Sequence, residues 1–506
     1  AEAELDRLAA ASLVNIRAAG PAERYATHDL LRLFARELVE PSVDDPALHR
    51  TYQVAAELAV RANRTLPLRI LPDPLGAGAT PSAAPELADP VDRSWFETEH
   101  SMLLQAATDA ARRGWTDLAV RLLTAMTRFA LLETYSREWI EAAEQVLDSL
   151  AATDPGRGRL LLGIGVLHQY RGHAGRAFGP LRQARQLMVH SGDTAGAATA
   201  AMRLSSCYRM HGRIRPARAA IHWAIAQLSA TEQLSATEQV SAQVGAIARL
   251  GEDPPSSLLG WAHLIRGNLL LENDRDAAGA GAAFHQGAAI MRLAGDRGGE
   301  GNAMMLLGRS ITAAGSFRQS IAVYEEAMDA LTDAGDEVGL CLARSLIAKS
   351  KLLDCDVAGA QADNATALRQ AQTLQNAQAV RIALELAAQL AYTQSAPAEA
   401  RQWRAAEVAH ARQSGAALDL ARSLVRLAHA CWEVGDHAEA LEAGNEALSL
   451  YAAMNAPDHH EVSNWLSRHR NAQHMADRPS RPRSGGIDRV LRAGARTVAG
   501  ERSAAG

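Results

Sequence analysis

The sequence predicts an all-α solenoid: helical hairpins of about 40 residues, each stacked on the next. Three observations carry this. Small residues recur on a fixed ruler around a series of joints. The ruler itself recurs. The composition suits closely packed helices. The stretch Leu306–Ala330 defines the ruler as two helices joined at Gly315. Gly308 stands seven residues before the joint, Ser320 five after it and Ala327 twelve after it.

The same spacing surrounds joints at Gly172, Gly212, Asp274, Gly315, Cys355, Ser395 and Gly435. Seven before them stand Gly165, Ser205, Gly267, Gly308, Ala348, Ala388 and Ala428; five after them stand Ala177, Ala217, Gly279, Ser320, Ala360, Ala400 and Ala440. Twelve after, five joints have Ala184, Ala224, Ala327, Ala367 and Ala447, and two have Gln286 and Glu407. Antiparallel helices joined by a short turn approach closely only where side chains are small. One small residue on the first helix is therefore expected to face one on the second, and the third to admit the next hairpin. From Gly165 to Ala428 the first-helix positions advance by 40, 62, 41, 40, 40 and 40 residues. This spacing of seven, five and seven resembles the tetratricopeptide (TPR) repeat, lengthened from that family's 34 residues to about 40. About one further helical turn per pair accounts for the difference.

Composition agrees. The chain has 506 residues, 48% hydrophobic but only 4% aromatic, so alanine and leucine fill the interior. A net charge of −5 does not point to nucleic acid or membrane binding by the whole chain. The four cysteines, Cys207, Cys341, Cys355 and Cys431, form no C-x-x-C, and a reducing compartment fits them best. No apolar run reaches the length of a membrane span. The opening AEAELDRL reads as mid-helix, as if cut from a longer protein.

In chain order, residues 1–65 read as the end of one domain and a following helix. Residues 1–40 are expected to run helix, polar interruption, helix. Leu5, Leu8, Leu13 and Val14 would form one apolar face, with Gly20 and Pro21 as breakers. Leu30, Leu31, Phe34 and Leu38 follow at helical spacing, with Thr27 or Asp29 as cap. Residues 46–65 predict a helix with Pro46 at its start. Residues 66–94 are a Pro-rich linker. Residues 95–157 fit the ruler loosely, at Ala107, Gly114 and Ala119, as a degenerate cap of the array. Trp95, Trp115 and Trp139 there read as packing residues. The repeats occupy 158–457, with an insertion near 229–257 that contains the tandem LSATEQLSATEQ. A six-residue period makes a poor amphipathic stripe, so this reads as an extension of one helix ending at Pro254-Pro255. Residues 458–476 predict a capping helix, and 477–506 a disordered Arg-rich tail.

The block Arg24–Leu38 (RYATHDLLRLFAREL) resembles the end of the winged-helix domain in STAND-type NTPases with an NB-ARC module. It is especially similar to AfsR/SARP-type transcription regulators, which continue into TPR repeats. The fold class is then a TPR-like helical-hairpin solenoid preceded by the end of a winged-helix domain. Thr27-His28-Asp29 stands where the family has Met-His-Asp, with Thr27 replacing an apolar residue. The resemblance implies that His28, with Asp29, contacts bound ADP once an upstream nucleotide domain is present. No G-x-x-x-x-G-K-[ST] occurs in this chain, so ADP or ATP would belong upstream and this segment needs no cofactor of its own.

No catalytic set emerges. His460-Glu461 is not followed by the second histidine of H-E-x-x-H, and His459, His460, His469 and His474 lack metal-ligand spacing. G-x-S-x-G and G-x-G-x-x-G are absent. Glu325, Glu326, Glu439 and Glu446 read as solvated helix faces. The expectation is a non-enzymatic, cytoplasmic regulatory segment. Its repeats would bind a protein, peptide or small-molecule inducer and so control an upstream nucleotide switch. DNA would be bound only by a domain outside this segment, no membrane is involved, and activation would bring oligomerisation. The alternative is a free-standing TPR scaffold for protein–protein interaction.

Overall fold

The structure, a computed structural model, describes residues 2–19, 22–27, 34, 37, 41–66, 91–132, 135–171, 173–243, 257–374, 376–414, 417–454 and 458–476. Among them are twenty α-helices and one β-hairpin. The chain divides into two compact units, Ala1–Ala417 and Leu418–Gly506.

The first unit opens with α1 (Glu2–Ala10), then β1 (Val14–Ala19) and β2 (Ala22–Thr27). The strands pair antiparallel, with Val14 opposite Thr27 and Ile16 opposite Tyr25. This corrects the expectation of a helix continuing through Leu13 and Val14. The alternation Val14-Asn15-Ile16-Arg17 has period two, which suits a strand and not a helix face. Leu8 and Leu13 stand exposed, so they build no apolar face within this unit. Of the block 24–38, residues 24–27 belong to β2, while Phe34 and Glu37 are helical. His28 and Asp29 lie outside the described residues, as do the linker residues 67–90.

Helix α2 runs over Pro41–Thr65, so Pro41 begins it and Pro46 lies within it, not at its start. It packs on α3 (Arg93–Arg112) and α4 (Thr116–Leu132). Tyr52 Oη donates to Asp109 Oδ2 at 3.1 Å, and Arg113 pairs with Asp45, so polar contacts tie α2 to the turn end of α3. Gly114 turns the chain at φ +80°, a left-handed conformation that a side chain would strain. Phe96 stacks on Phe129 at 4.9 Å between ring centroids. Trp139, on α5 (Ser136–Ser149), is buried and donates its Nε1–H to the Leu123 carbonyl at 2.9 Å.

Six hairpins follow in this unit. They are α6–α7 (Pro155–Tyr170, Ala174–Ser191), α8–α9 (Thr194–Met210, Ile214–Gln243) and α10–α11 (Ser257–Asn273, Ala277–Leu293). Then come α12–α13 (Arg297–Ala313, Phe317–Asp333), α14–α15 (Glu337–Leu353, Val357–Thr373) and α16–α17 (Ala377–Thr393, Pro397–Ser414). Helices α10 to α16 are each 17 residues long, with short turns between them. Helix α9 is the exception at 30 residues and carries both LSATEQ copies; 244–256 lie outside the described residues.

The turns use two devices. A residue with positive φ ends the first helix: Gly212, Arg275, Gly315, Cys355 and Ser395. An Asp or Asn then caps the next helix at most junctions. Asp193, Asp276, Asp296, Asp336 and Asp356 each accept, through Oδ1, the backbone N–H of a glycine three residues on, at 2.8–2.9 Å. Those glycines leave room for the capping carboxylate. A Cβ on Gly339 would lie 2.7 Å from both Asp336 Oδ2 and Leu331 Cδ2.

The second unit holds α18 (Ala417–Glu433), α19 (His437–Ala453) and α20 (His459–Ala476), with Gly435 at φ +87° in the first turn. Ala428, Ala440 and Ala447 are buried there, and Trp465 and Leu466 of α20 cover Gly444 of α19. Residues 477–506 lie outside the described residues.

Candidate functional site

Packing in the first unit separates an inner from an outer layer. Successive first helices touch directly: α6 on α8, α8 on α10, α10 on α12, α12 on α14 and α14 on α16. Among the described residues, no pair of successive second helices packs to that extent. The first helices are therefore the more tightly wound layer of this array.

Small residues make that layer. Gly165, Ser205, Gly267, Gly308, Ala348 and Ala388 of the first helices are buried, as are Ala177, Ala217, Ser320, Ala360 and Ala400 of the second. Their partners are not always small. A Cβ on Gly308 would run into the Tyr324 ring, and one on Gly267 into the Phe284 ring. At these two positions glycine receives an aromatic from the second helix, whereas Gly165 receives Leu181. At Ser205 the small-to-small contact does occur, since its Oγ donates to the Ala217 carbonyl at 2.8 Å.

One joint departs from the ruler. The left-handed residue is Arg275, not Asp274, and the Asp276 N–H reaches back six residues to the Leu270 carbonyl. The corresponding bond elsewhere spans five, as from Ser316 to Ile311. One extra residue widens this turn. It leaves Gly267 in place but moves the second-helix position from Gly279 to Ala280, which is fully buried. Gly279 instead meets the Asp276 cap. The same shift puts buried Gly287 where Gln286 was expected. Glu407 is fully buried and bonded to Arg404 at 2.8 Å, so a charge pair occupies that position in α17.

Polar rungs link the first helices across the inner layer. The Arg203 guanidinium of α8 lies 5.9 Å from the centroid of the Tyr170 ring of α6. Arg209 of α8 pairs with Glu272 of α10, and Arg309 of α12 reaches the same carboxylate at 3.8 Å. Thr312 of α12 and Ser350 of α14 share a hydrogen bond of 3.2 Å. Asn268 precedes Glu272 by one turn on the same face. Its Oδ1 is buried without a hydrogen-bond partner. Arg203 and Ser350 are buried, so of these rungs only Arg209–Glu272–Arg309 is open to solvent throughout.

In the second unit, His469 packs 4.2 Å from Trp465 and 4.4 Å from Trp432, while His459 and His460 lie edge-to-face at 5.5 Å. The His474 side chain lies outside the described residues. No three His, Cys, Asp or Glu side chains gather as metal ligands among the described residues.

The chain is similar in structure to a Signal Transduction ATPase with Numerous Domains (STAND) protein with a tetratricopeptide repeat sensor from Pyrococcus horikoshii. The match covers 92% of this chain at 14% identity and TM-score 0.50. The fold is TPR-like. This chain spans 60% of the length of that protein. It is also similar to aspartyl phosphate phosphatase F from Bacillus subtilis (11% identity, 71% of this chain and 92% of that one, TM-score 0.43). The quorum sensor NprR from B. thuringiensis matches at 10% identity, over 70% of this chain and 99% of that one, with TM-score 0.42. No family model and no curated protein matches the chain.

Proposed function

We propose that this chain is the sensor arm of a STAND-type transcription regulator. Its TPR-like repeats bind a partner or inducer on the inner layer and thereby control an upstream nucleotide switch and DNA-binding domain. The observation that carries the reading is the inner layer itself. First helices wind tightly on one another, and the Arg209–Glu272–Arg309 rung crosses three repeats. The likeness in fold to a STAND protein with a TPR sensor supports it. So does the HDLLR block that precedes the array. Switching requires that the inducer bind the two states of the parent protein unequally.

In this reading the cytoplasmic parent protein holds ADP or ATP in its upstream domain. His28 and Asp29 are this chain's contribution to that nucleotide, activation assembles an oligomer, and DNA is bound outside this segment. The chain itself performs no catalysis. No helix among the described residues is long and apolar enough to cross a membrane.

The test is made on the full-length product of the reading frame. Purified parent protein is expected to carry ADP, to lose it more readily when His28→Ala is introduced, and to bind DNA constitutively when the repeats are deleted. A parent that binds no nucleotide, or whose DNA binding ignores deletion of the repeats, sinks the proposal.

A further inference from the structure

We infer that a cavity at the joint between α6 and α7 is a binding site for a small phosphorylated molecule that bears hydroxyl groups. The site is independent of the inner-layer reading, since it lies where the first regular hairpin turns against α5. Charge is the first sign. The whole protein is negative, at −5. Yet from Pro155 to Leu228, over α6 to α8 and the first half of α9, it carries eleven arginines against one acid, Asp193. Some of these arginines are engaged elsewhere. Arg159 lies 3.9 Å from Asp193, Arg209 pairs with Glu272 and Arg218 pairs with Asp274. Arg171 and Arg176 are exposed, and neither side chain pairs with a carboxylate among the described residues. A local excess of this kind draws anions to one place on a negative protein.

The two free arginines converge on a cavity of about 540 Å³. His168 and Arg171 at the end of α6, with His173 and Arg176 at the start of α7, form one wall. The two imidazoles lie 6.3 Å apart between ring centroids. Burial lowers the pKa of both, and the neighbouring cations lower it further. Each ring is therefore neutral near pH 7, with one N–H to donate. His173 stands at the cap position of α7, and its side chain makes no capping bond. No carboxylate of the kind that Asp193 supplies to α8 takes up the first N–H groups of that helix. Two guanidiniums, two imidazoles and a helix start offer more donors than the two oxygens of a carboxylate accept. They match the three oxygens and the charge of about −2 of a phosphate monoester. The opposite wall, on α5, is acidic. Glu141 holds Arg137 at 2.8 Å, and Glu144 pairs with no cation among the described residues. Carboxylates there repel a continuous strand of phosphates but accept O–H groups from a small polar body. The volume falls in the range of small-molecule sites, about 300–1,000 Å³, and leaves room for an organic group beyond the phosphate.

The experiment is isothermal titration calorimetry on the whole chain with ribose 5-phosphate as probe, and with ribose, inorganic phosphate and an oligothymidylate as controls. Ribose 5-phosphate is expected to saturate a single site, ribose to give no binding, and inorganic phosphate to bind about tenfold more weakly than the ester. Arg171→Gln and Arg176→Gln should each weaken the ester about tenfold. Arg218→Gln removes the same charge outside the cavity and should change it by less than about twofold. Glu144→Gln should tighten inorganic phosphate and narrow the gap between it and the ester, because a repulsive charge and a hydroxyl acceptor are lost together. A merely structural role for Glu144 moves neither. Circular dichroism confirms that each variant folds. No binding of ribose 5-phosphate, equal binding of ribose, tighter binding of the oligothymidylate, or as large a loss from Arg218→Gln as from Arg171→Gln overturns the inference. None of these results bears on the sensor reading, which the parent protein's nucleotide and DNA binding decide.

Discussion

Gly308 of α12 lies directly against the ring of Tyr324 on α13, with no space between them for a methyl group. Tyr324 is 1% exposed, and its hydroxyl lies 3.3 Å from Thr312 Oγ1. Gly308→Leu is expected to cost about 1–3 kcal/mol or more by overpacking this crossing. The exposed change Gln319→Glu should stay within about 0.5 kcal/mol. Combining Gly308→Ala with Tyr324→Leu should cost less than the two single changes added, since the smaller side chain makes room. Urea melts on the native chain, the two single variants and the double variant measure this, and strict additivity would mean that the two residues do not share a crossing.

Cys355 and Ser395 hold left-handed φ values of 66° and 58° at turns where Gly315 has 83°. A side chain there is strained, so Cys355→Gly and Ser395→Gly should each stabilise the chain by about 1 kcal/mol. Gly315→Ala should lose a similar amount. Thermal denaturation gives the sign in each case. A loss on introducing glycine at either turn contradicts the backbone geometry.

The aspartate caps make a third test. Asp336 accepts the Gly339 N–H at 2.8 Å, and Asp336→Ala should cost about 1 kcal/mol. Asp336→Asn should retain most of that, because the amide oxygen still accepts. Equal losses for both variants would show that the negative charge, and not the hydrogen bond, matters.

His263 is buried in α10, and its Nδ1 has no hydrogen-bond partner. Burial, and after it the neighbouring Arg266, pushes its pKa down to about 4 from 6.5. The folded chain thus keeps this imidazole neutral while the unfolded chain protonates it. Stability from this residue is complete above pH 6.5 and is lost as pH falls towards about 4. The melting temperature of the native chain should fall more steeply across that window than that of His263→Phe. Parallel curves would place the imidazole in water.

The repeat was legible because close helix contact restricts residue size at a fixed spacing. Gly308, Ala348 and Ala388 mark that spacing without reference to any neighbour. The Asp-x-x-Gly caps, as at Asp296 and Gly299, were equally present in the sequence. They escape a ruler built on small residues alone, because their signal is a hydrogen bond and not a size. The β-hairpin escaped for another reason. Val14-Asn15-Ile16-Arg17 is too short for a period of two to outweigh the leucines before it. The shift at Arg275 escaped because Gly279, beside Ala280, satisfies the same size rule. Ser205 and Gly308 obey one spacing yet meet different neighbours, a carbonyl in one case and a ring in the other.

The amino-acid order determined that this chain forms hairpins of regular length, since size, turn and capping preferences act over a few neighbouring residues. It did not determine which polar groups face one another. Arg209, Glu272 and Arg309 lie far apart along the chain, and the insertion in α9 separates the first two. Only the stacking of one first helix on the next brings their charges together. Coulombic and hydrogen-bonding contacts depend on distance in space, which for residues so remote is decided by the tertiary packing.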